Sequence, residues 1–88
     1  MSQEKKAIIA KDLILEGKIT QLVDVFNYID KKYIHEKTGI NYYRLLRNVK
    51  NPKGFKFEDA YTIARALKVP PAKVADLILN QIEAGKKK

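Results

Sequence analysis

The chain has 88 residues, enough for one domain, and its 45% hydrophobic and 32% charged residues are ordinary for a globular protein. It contains no cysteine and a single histidine, which excludes disulfides and thiolate zinc sites and argues against a metal centre. Its 18 basic residues outnumber its 10 acidic residues, and the net charge of +8 favours a polyanionic partner.

Apolar residues recur at helical spacing, and glycine and proline divide the chain into five or six short helices without a sheet. The first helix is predicted from about Gln3 to Glu16 and ends at Gly17, which suits a left-handed backbone. The run Leu13–Leu15 leaves a strand as the alternative there. Thr20 is predicted to cap the second helix. The apolar face of that helix is predicted to hold Leu22, Val23 and Phe26.

Two further short helices are predicted on either side of a tight turn at residues 38–40. Asp30 caps the first of them, over residues 31–37, and Asn41 caps the second, which runs to about Val49. Two short helices joined by a three- or four-residue turn with a glycine, here Gly39, are the signature of a helix-turn-helix. We therefore predict this motif at about residues 30–49. Its packed residues are predicted to be Ile34, Ile40 and Leu45.

The remaining residues predict a loop at 51–54 and two more helices. Phe57 opens the first of these helices, and the acidic residues Glu58 and Asp59 in its first turn suit the helix dipole. The last helix is predicted to start at Pro70–Pro71 and to end at Gly85. The inner faces of the two helices are predicted to be Ala60, Ile63, Ala64 and Leu67, and Val74, Leu77, Ile78 and Ile82. One domain over residues 1–85 and a basic tail at 86–88 are expected.

Basic residues are concentrated on the predicted motif and on the loop after it. Residues 31–56 contain eight basic residues and one acidic residue, Glu36, a net charge of +7 in 26 residues. Such clustering is the electrostatic footprint of a protein that binds nucleic acid. The alternative is a lysine-rich surface that serves solubility alone.

The segment Ile63–Val69, with the sequence Ile-Ala-Arg-Ala-Leu-Lys-Val, resembles a helix of the lambda-repressor-like family, the Cro or xenobiotic-response-element type. In that family a loop and a helix with the pattern hydrophobic-Ala-x-x-Leu-x-Val follow the motif. Together with Gly39–Ile40 and the loop at Asn51–Pro52, the resemblance covers residues 19–79. It implies a compact all-α bundle and sequence-specific binding of double-stranded DNA by a transcriptional regulator. It also implies a homodimer, for which the first or the last helix could supply the surface.

The resemblance further implies which residues contact DNA. The base-contacting candidates belong to a recognition helix at about Asn41–Val49 that enters the major groove: Asn41, Tyr42, Tyr43, Arg44 and Arg47. The phosphate-contacting candidates position the protein without reading sequence: Lys31, Lys32, Lys50, Lys53 and Lys56. Because adjacent helical residues point about 100° apart, one of Tyr42 and Tyr43 is predicted to pack inward.

Three residues depart from the pattern of the family: His35, Leu46 and Asn48. They stand where the family usually has an alanine, a polar groove-facing residue and an apolar core residue. These departures predict that the recognition helix is rotated or slightly extended, with Leu45 and Val49 as its buried pair.

Nothing in the sequence indicates catalysis, since Ser2 is the only serine and no glycine-rich phosphate loop is present. The pair Glu58–Asp59 fits helix capping better than acid–base chemistry. His35 is expected to be a buried or half-buried helix residue rather than a metal ligand. Four aromatic residues are predicted to be core or loop anchors: Phe26, Phe55, Phe57 and Tyr61.

No apolar run approaches the roughly 18 residues needed to cross a membrane, and Lys11 and Asp12 interrupt the short run Ala7–Ala10. We therefore expect a cytoplasmic protein that is not an enzyme and has no cofactor, metal or membrane partner. The first alternative function is a helix-turn-helix scaffold for protein–protein contact, such as an adaptor for an acidic partner. The second is nonspecific nucleoid or RNA binding, which equal affinity for unrelated sequences would indicate.

Overall fold

The computed structural model describes residues 2–86, and within that range it contains six α-helices and no strand. The helices are α1 (Gln3–Leu15), α2 (Leu22–Val25), α3 (Lys31–Thr38), α4 (Tyr42–Lys50), α5 (Phe57–Leu67) and α6 (Pro71–Lys86), and a 3-10 turn at Pro52–Gly54 lies between α4 and α5. The prediction of an all-α bundle of five to six helices is confirmed, and Leu13–Leu15 is helical.

A single hydrophobic core joins the six helices. The largest fully buried side chains are those of Leu22, Val25, Ile29, Ile34, Leu45, Val49, Ile63, Leu67 and Val74. Burial of each such side chain is worth about 1.5–3 kcal/mol relative to exposure. The four residues predicted for the inner face of α5 are all buried, as are Ile34, Ile40 and Leu45 of the predicted motif. These core predictions are confirmed.

Left-handed glycines end α1 and α3. Gly17 and Gly39 both have φ of +76°, and the N–H of Gly39 donates to the carbonyl of His35 at 2.9 Å. Glycine adopts this conformation without the steric clash that a Cβ would cause. The predicted turns at both positions are confirmed.

The helix ends confirm one predicted side-chain cap and correct others. Asn41 Oδ1 accepts a hydrogen bond from the N–H of Arg44 at 3.1 Å, so the predicted cap of α4 is confirmed. The cap predicted at Thr20 is wrong, because α2 begins after Gln21. The carbonyl of Thr20 instead accepts from Asn80 Nδ2 at 3.0 Å, which attaches this loop to α6.

Two further expectations about helix ends are corrected by long-range contacts and helix length. Asp30 precedes α3 as predicted but makes no side-chain cap, because its carboxylate accepts from Gln3 Nε2 at 3.2 Å. The predicted end at Gly85 is wrong, since α6 continues to Lys86. The basic tail at 86–88 therefore begins inside a helix, and residues 87 and 88 lie outside the described residues.

The four predicted aromatic anchors divide into two pairs. Phe26 and Phe55 are half-buried against the core, which confirms the prediction for them. It is wrong for Phe57 and Tyr61, which are 96% and 53% exposed. The apolar buried stripe of α5 starts only at Ala60, so Phe57, the first residue of the helix, lies ahead of the core.

Asn48 is a buried polar residue that connects α4 to the 3-10 turn. Its side chain is almost fully buried, and its Nδ2 donates to the carbonyl of Gly54 at 3.3 Å. A Cβ added at Gly54 would approach Asn48 Oδ1 more closely than real Cβ atoms approach any neighbour. The amide therefore occupies the space that a side chain at residue 54 would need.

We predict that Gly54→Ala lowers the free energy of unfolding by about 1–3 kcal/mol, because the new methyl group displaces the buried amide. Urea unfolding followed by circular dichroism measures this. Gly85→Ala is the matched control, since a Cβ there meets no atom within 4 Å and alanine favours a helix, which stabilises the chain by up to about 1 kcal/mol. Equal stability of Gly54→Ala and the parent would contradict the prediction.

Candidate nucleic-acid interface

Helix α4 has one buried face and one exposed basic face. Leu45 and Val49 are buried, which confirms the predicted pair, and Asn48 is buried with them. Three exposed residues at spacing i, i+4 and i+7 form the opposite side, which we call the α4 stripe: Tyr43, Arg47 and Lys50. The stripe points a phenol, a guanidinium and an ammonium group into solvent.

The two adjacent tyrosines differ as predicted. Tyr43 is 78% exposed, whereas Tyr42 is half-buried and packs edge-on against the ring of His35, with centroids 5.8 Å apart. Tyr42 therefore contributes mainly to the joint between α3 and α4. Tyr43 leaves its ring and hydroxyl accessible to a partner.

Side-chain hydrogen bonds make the turn between α3 and α4 rigid. Thr38 Oγ1 donates to the carbonyl of Ile34 at 2.6 Å and accepts from the N–H of Ile40 at 3.2 Å. His35 Nδ1 lies 2.6 Å from the carbonyl of Ile40, so this nitrogen carries the proton and donates. His35 is half-buried as predicted, but its role in bracing the turn was not foreseen. The one signal in the sequence was that His35 stands where the lambda-repressor-like family usually has an alanine.

The first turn of α3 lies beside α4. Lys31 and Lys32 line a shallow groove together with Tyr42 and Leu46 from α4. Lys31 is half-buried, with its Nζ 5.5 Å from the centroid of the Phe26 ring, while Lys32 is exposed. The structure therefore brings two of the phosphate-contacting candidates alongside α4.

The remaining phosphate-contacting candidates lie at and after the C-terminal end of α4. Lys50, Lys53 and Lys56 are all exposed. Lys50 and Lys53 line a second groove to which Lys86, at the end of α6, also contributes. The basic surface thus continues from α4 through the 3-10 turn to the end of α6. Lys86 was predicted to lie in a basic tail beyond the last helix. Because α6 continues past Gly85, Lys86 is instead part of that helix and lines this groove.

Gln81 of α6 holds the end of α4 in place. Its Nε2 donates to the carbonyl of Val49 at 2.7 Å, and its Oε1 accepts from the N–H of Val23 at 2.9 Å. One amide therefore satisfies a carbonyl at the C-terminal end of α4 and an amide in the first turn of α2. Nothing local in the sequence distinguishes Gln81, because its partners are 32 and 58 residues away.

An ion pair attaches α4 to α5. Arg44 Nη1 and Nη2 donate to the two carboxylate oxygens of Asp59 at 2.7 and 2.9 Å, and Asp59 Oδ2 also accepts from the N–H of Lys56 at 3.0 Å. Asp59 is almost fully buried. The capping role predicted for Asp59 is confirmed by its bond to Lys56.

The hydrogen bonds from Arg44 lower the pKa of the Asp59 carboxyl, helped by the Lys56 amide and opposed by burial.

Because the guanidinium fork of Arg44 is occupied within the protein, the geometry favours a positioning role for a residue that the resemblance assigned to base contact. Of the other base-contacting candidates, Asn41, Tyr43 and Arg47 are exposed and Tyr42 is half-buried.

The electrostatic character of this surface follows from the absence of acidic residues. No carboxylate lies in the sequence between Glu36 and Glu58, a segment that includes α4, the 3-10 turn and Lys56. Asp59, the next acidic residue after Glu58, is neutralised by Arg44. The surface therefore presents cations that no acidic residue on the same segment offsets, which suits a polyanion.

Within residues 2–86 no group of three His, Asp or Glu side chains could hold a metal ion. No helix in that range is both long and apolar enough to span a bilayer.

We predict that Arg44→Met lowers the free energy of unfolding at pH 7 by about 2–4 kcal/mol, because it leaves the Asp59 carboxylate buried without its main partner. The folded pKa of Asp59 is depressed, so the pair stabilises the parent fully above about pH 4 and less as pH falls through the folded pKa. The deficit of the variant should therefore shrink at pH 3. The midpoints of urea unfolding at pH 7 and pH 3 measure the stability deficit of the variant. A deficit that is the same at both pH values would contradict the role given to the Arg44–Asp59 pair.

Comparison of the chain with protein-family models, with curated proteins and with solved structures gives no match.

Proposed function

We propose that the protein binds double-stranded DNA by inserting α4 into the major groove and acts as a regulator of transcription, without catalysis. The observation that carries the proposal is the α4 stripe, a tyrosine, an arginine and a lysine aligned on a helix whose opposite face is buried. The major groove is about 12 Å wide and admits an α-helix. A helix with a fixed rotation presents the same side chains to every base pair that it meets.

The residues of the stripe have distinct proposed roles. Arg47 can donate two hydrogen bonds to guanine O6 and N7, which is the commonest base-specific contact of arginine. Tyr43 is suited to a thymine methyl group or a phosphate oxygen. Lys50, at the end of α4, lies within reach of the backbone. Asn41 is exposed at the start of α4, although its Oδ1 is already used as the helix cap.

Lysines on both sides of α4 are proposed to contact phosphates of the duplex. Lys31 and Lys32 flank the helix at the first turn of α3, Lys53 lies in the 3-10 turn after α4, and Lys56 follows that turn. Contacts of this kind set the position and orientation of a protein on the duplex without reading its sequence. They also make affinity strongly dependent on salt.

We further propose that the arrangement is a lambda-repressor-like helix-turn-helix, with α3 and α4 as the two helices of the motif. The left-handed Gly39, the side-chain braces of the turn and the buried face of α5 support this assignment. The homodimer implied by the resemblance stays a prediction. A dimer on DNA would place two α4 helices about 34 Å apart, one turn of the duplex.

The proposal is tested by fluorescence anisotropy of a labelled duplex of arbitrary sequence, titrated at several salt concentrations. We predict measurable binding at low salt and a log–log salt slope of about −4 or steeper. The double variant Arg47→Ala/Lys50→Ala should bind more weakly, with a slope shallower by about 0.9, because about 0.9 is lost for each phosphate contact and Lys50 is the one of the pair assigned to a phosphate.

The matched control is Lys18→Ala/Lys73→Ala, which removes the same charge from two exposed lysines outside α3, α4 and the 3-10 turn. It should retain most of the affinity and the slope. Absence of binding at about 50 mM salt, where phosphate contacts are strong, would contradict the proposal and favour the protein-scaffold function. Equal losses in the two double variants would mean that net charge rather than α4 is responsible.

A further inference from the structure

A groove of about 940 Å³ lies between α1, α3 and α5, and its described lining residues include none from α4. Its apolar part is formed by Ala7 and Leu67, which are buried, Ala66, which is half-buried, and Ile8, which is 58% exposed. The groove is therefore separate from the α4 stripe and combines a partly apolar floor with an exposed isoleucine at its edge.

The rim of the groove is basic. Four of its described lining residues are cationic, and Glu4 is the acidic one among them. The cationic residues are Lys11, Lys37, Arg65 and Lys68. Apolar surface flanked by cations is complementary to a segment with apolar side chains on one face and carboxylates beside them.

Two tyrosines in the groove have cations over their rings. Lys37 Nζ lies 5.6 Å from the centroid of Tyr33, and Arg65 Cζ lies 5.9 Å from that of Tyr61. Single-stranded nucleic acid binds by stacking bases on open aromatic faces. Because one face of each ring is already covered, the groove favours a peptide over stacked bases.

The lysine at residue 68 indicates that positive charge at the rim of the groove has a role. It is the non-glycine residue with positive φ in the described chain, at φ 60° and ψ 40°, just after the end of α5. Glycine is the unstrained choice at this helix-ending position. The chain instead has a lysine there, which adds a cation to the rim at a cost in conformational energy.

We propose that this groove binds an acidic amphipathic helix of a partner protein. Apolar side chains of the partner contact Ile8 and Ala66, and its carboxylates pair with Arg65, Lys68 and the other rim cations. The groove and the α4 stripe share no residue. This proposal stands whether or not α4 binds DNA.

The test uses a fluorescein-labelled 16-residue peptide with leucines on one helical face and glutamates on the other, titrated with the full chain and followed by anisotropy. Arg65→Glu should weaken binding at least about tenfold, because a like charge then faces the glutamates. Lys73→Glu makes a reversal of the same sign at an exposed residue of α6 outside the groove and should change affinity less than about twofold.

Lys68→Gly separates binding from folding. This variant should melt at a higher temperature than the parent, because glycine relieves the left-handed strain, and yet bind the peptide several times more weakly. Ile8→Ser should also weaken binding, since it removes exposed apolar surface without changing charge. Unchanged affinity in Lys68→Gly and Arg65→Glu would overturn the proposal.

Arg47→Glu controls for attraction of the peptide to the α4 stripe. Its affinity for the peptide should fall by no more than that of Lys73→Glu. If Arg47→Glu abolishes binding and Arg65→Glu does not, the peptide binds α4 and the proposal is wrong. It is equally overturned if the peptide does not bind, or if a 15-residue oligothymidylate binds through Arg65 in its place.

Discussion

The bond between Arg44 and Asp59 is the constraint on which the presentation of α4 depends. Arg44 lies on the flank of α4, between its buried face and the α4 stripe, and its two η nitrogens donate to a buried carboxylate of α5. Rotation of α4 about its axis would break this bidentate contact and leave a charge buried without its partner. The contact therefore holds Tyr43 and Arg47 toward solvent.

Two other polar contacts act in the same direction at the opposite end of α4. Asn48 donates to the 3-10 turn, and Gln81 donates to the carbonyl of Val49 from α6. Together with the apolar contacts of Leu45, these bonds attach α4 to three separate elements. A recognition surface that is rigid before binding loses less conformational entropy when it meets its partner. Under the proposed function, α4 would therefore meet DNA in a conformation that these contacts already fix.

Local patterns were enough to predict the helices, and long-range polar pairs were not. The spacing of Ala60, Ile63, Ala64 and Leu67 predicted a buried face because helical periodicity is a property of neighbouring residues. The partner of Arg44 is 15 residues away and those of Gln81 are 32 and 58 residues away, so none of these pairings could be read from composition or spacing. The wrong predictions of a cap at Thr20 and of a packed ring at Phe57 have the same origin. The loop at Thr20 is attached to α6, and Phe57 lies ahead of the core, and neither fact is a property of neighbouring residues.

The most direct test of the account is a titration of ¹⁵N-labelled protein with a short duplex, followed by amide chemical shifts. If α4 enters the major groove, the largest changes will fall on residues 41–50, with smaller changes at the first turn of α3 and at residues 53–56. Changes confined to the groove between α1 and α5, or shifts spread evenly over all basic residues, would contradict the proposal that α4 is the DNA-binding element.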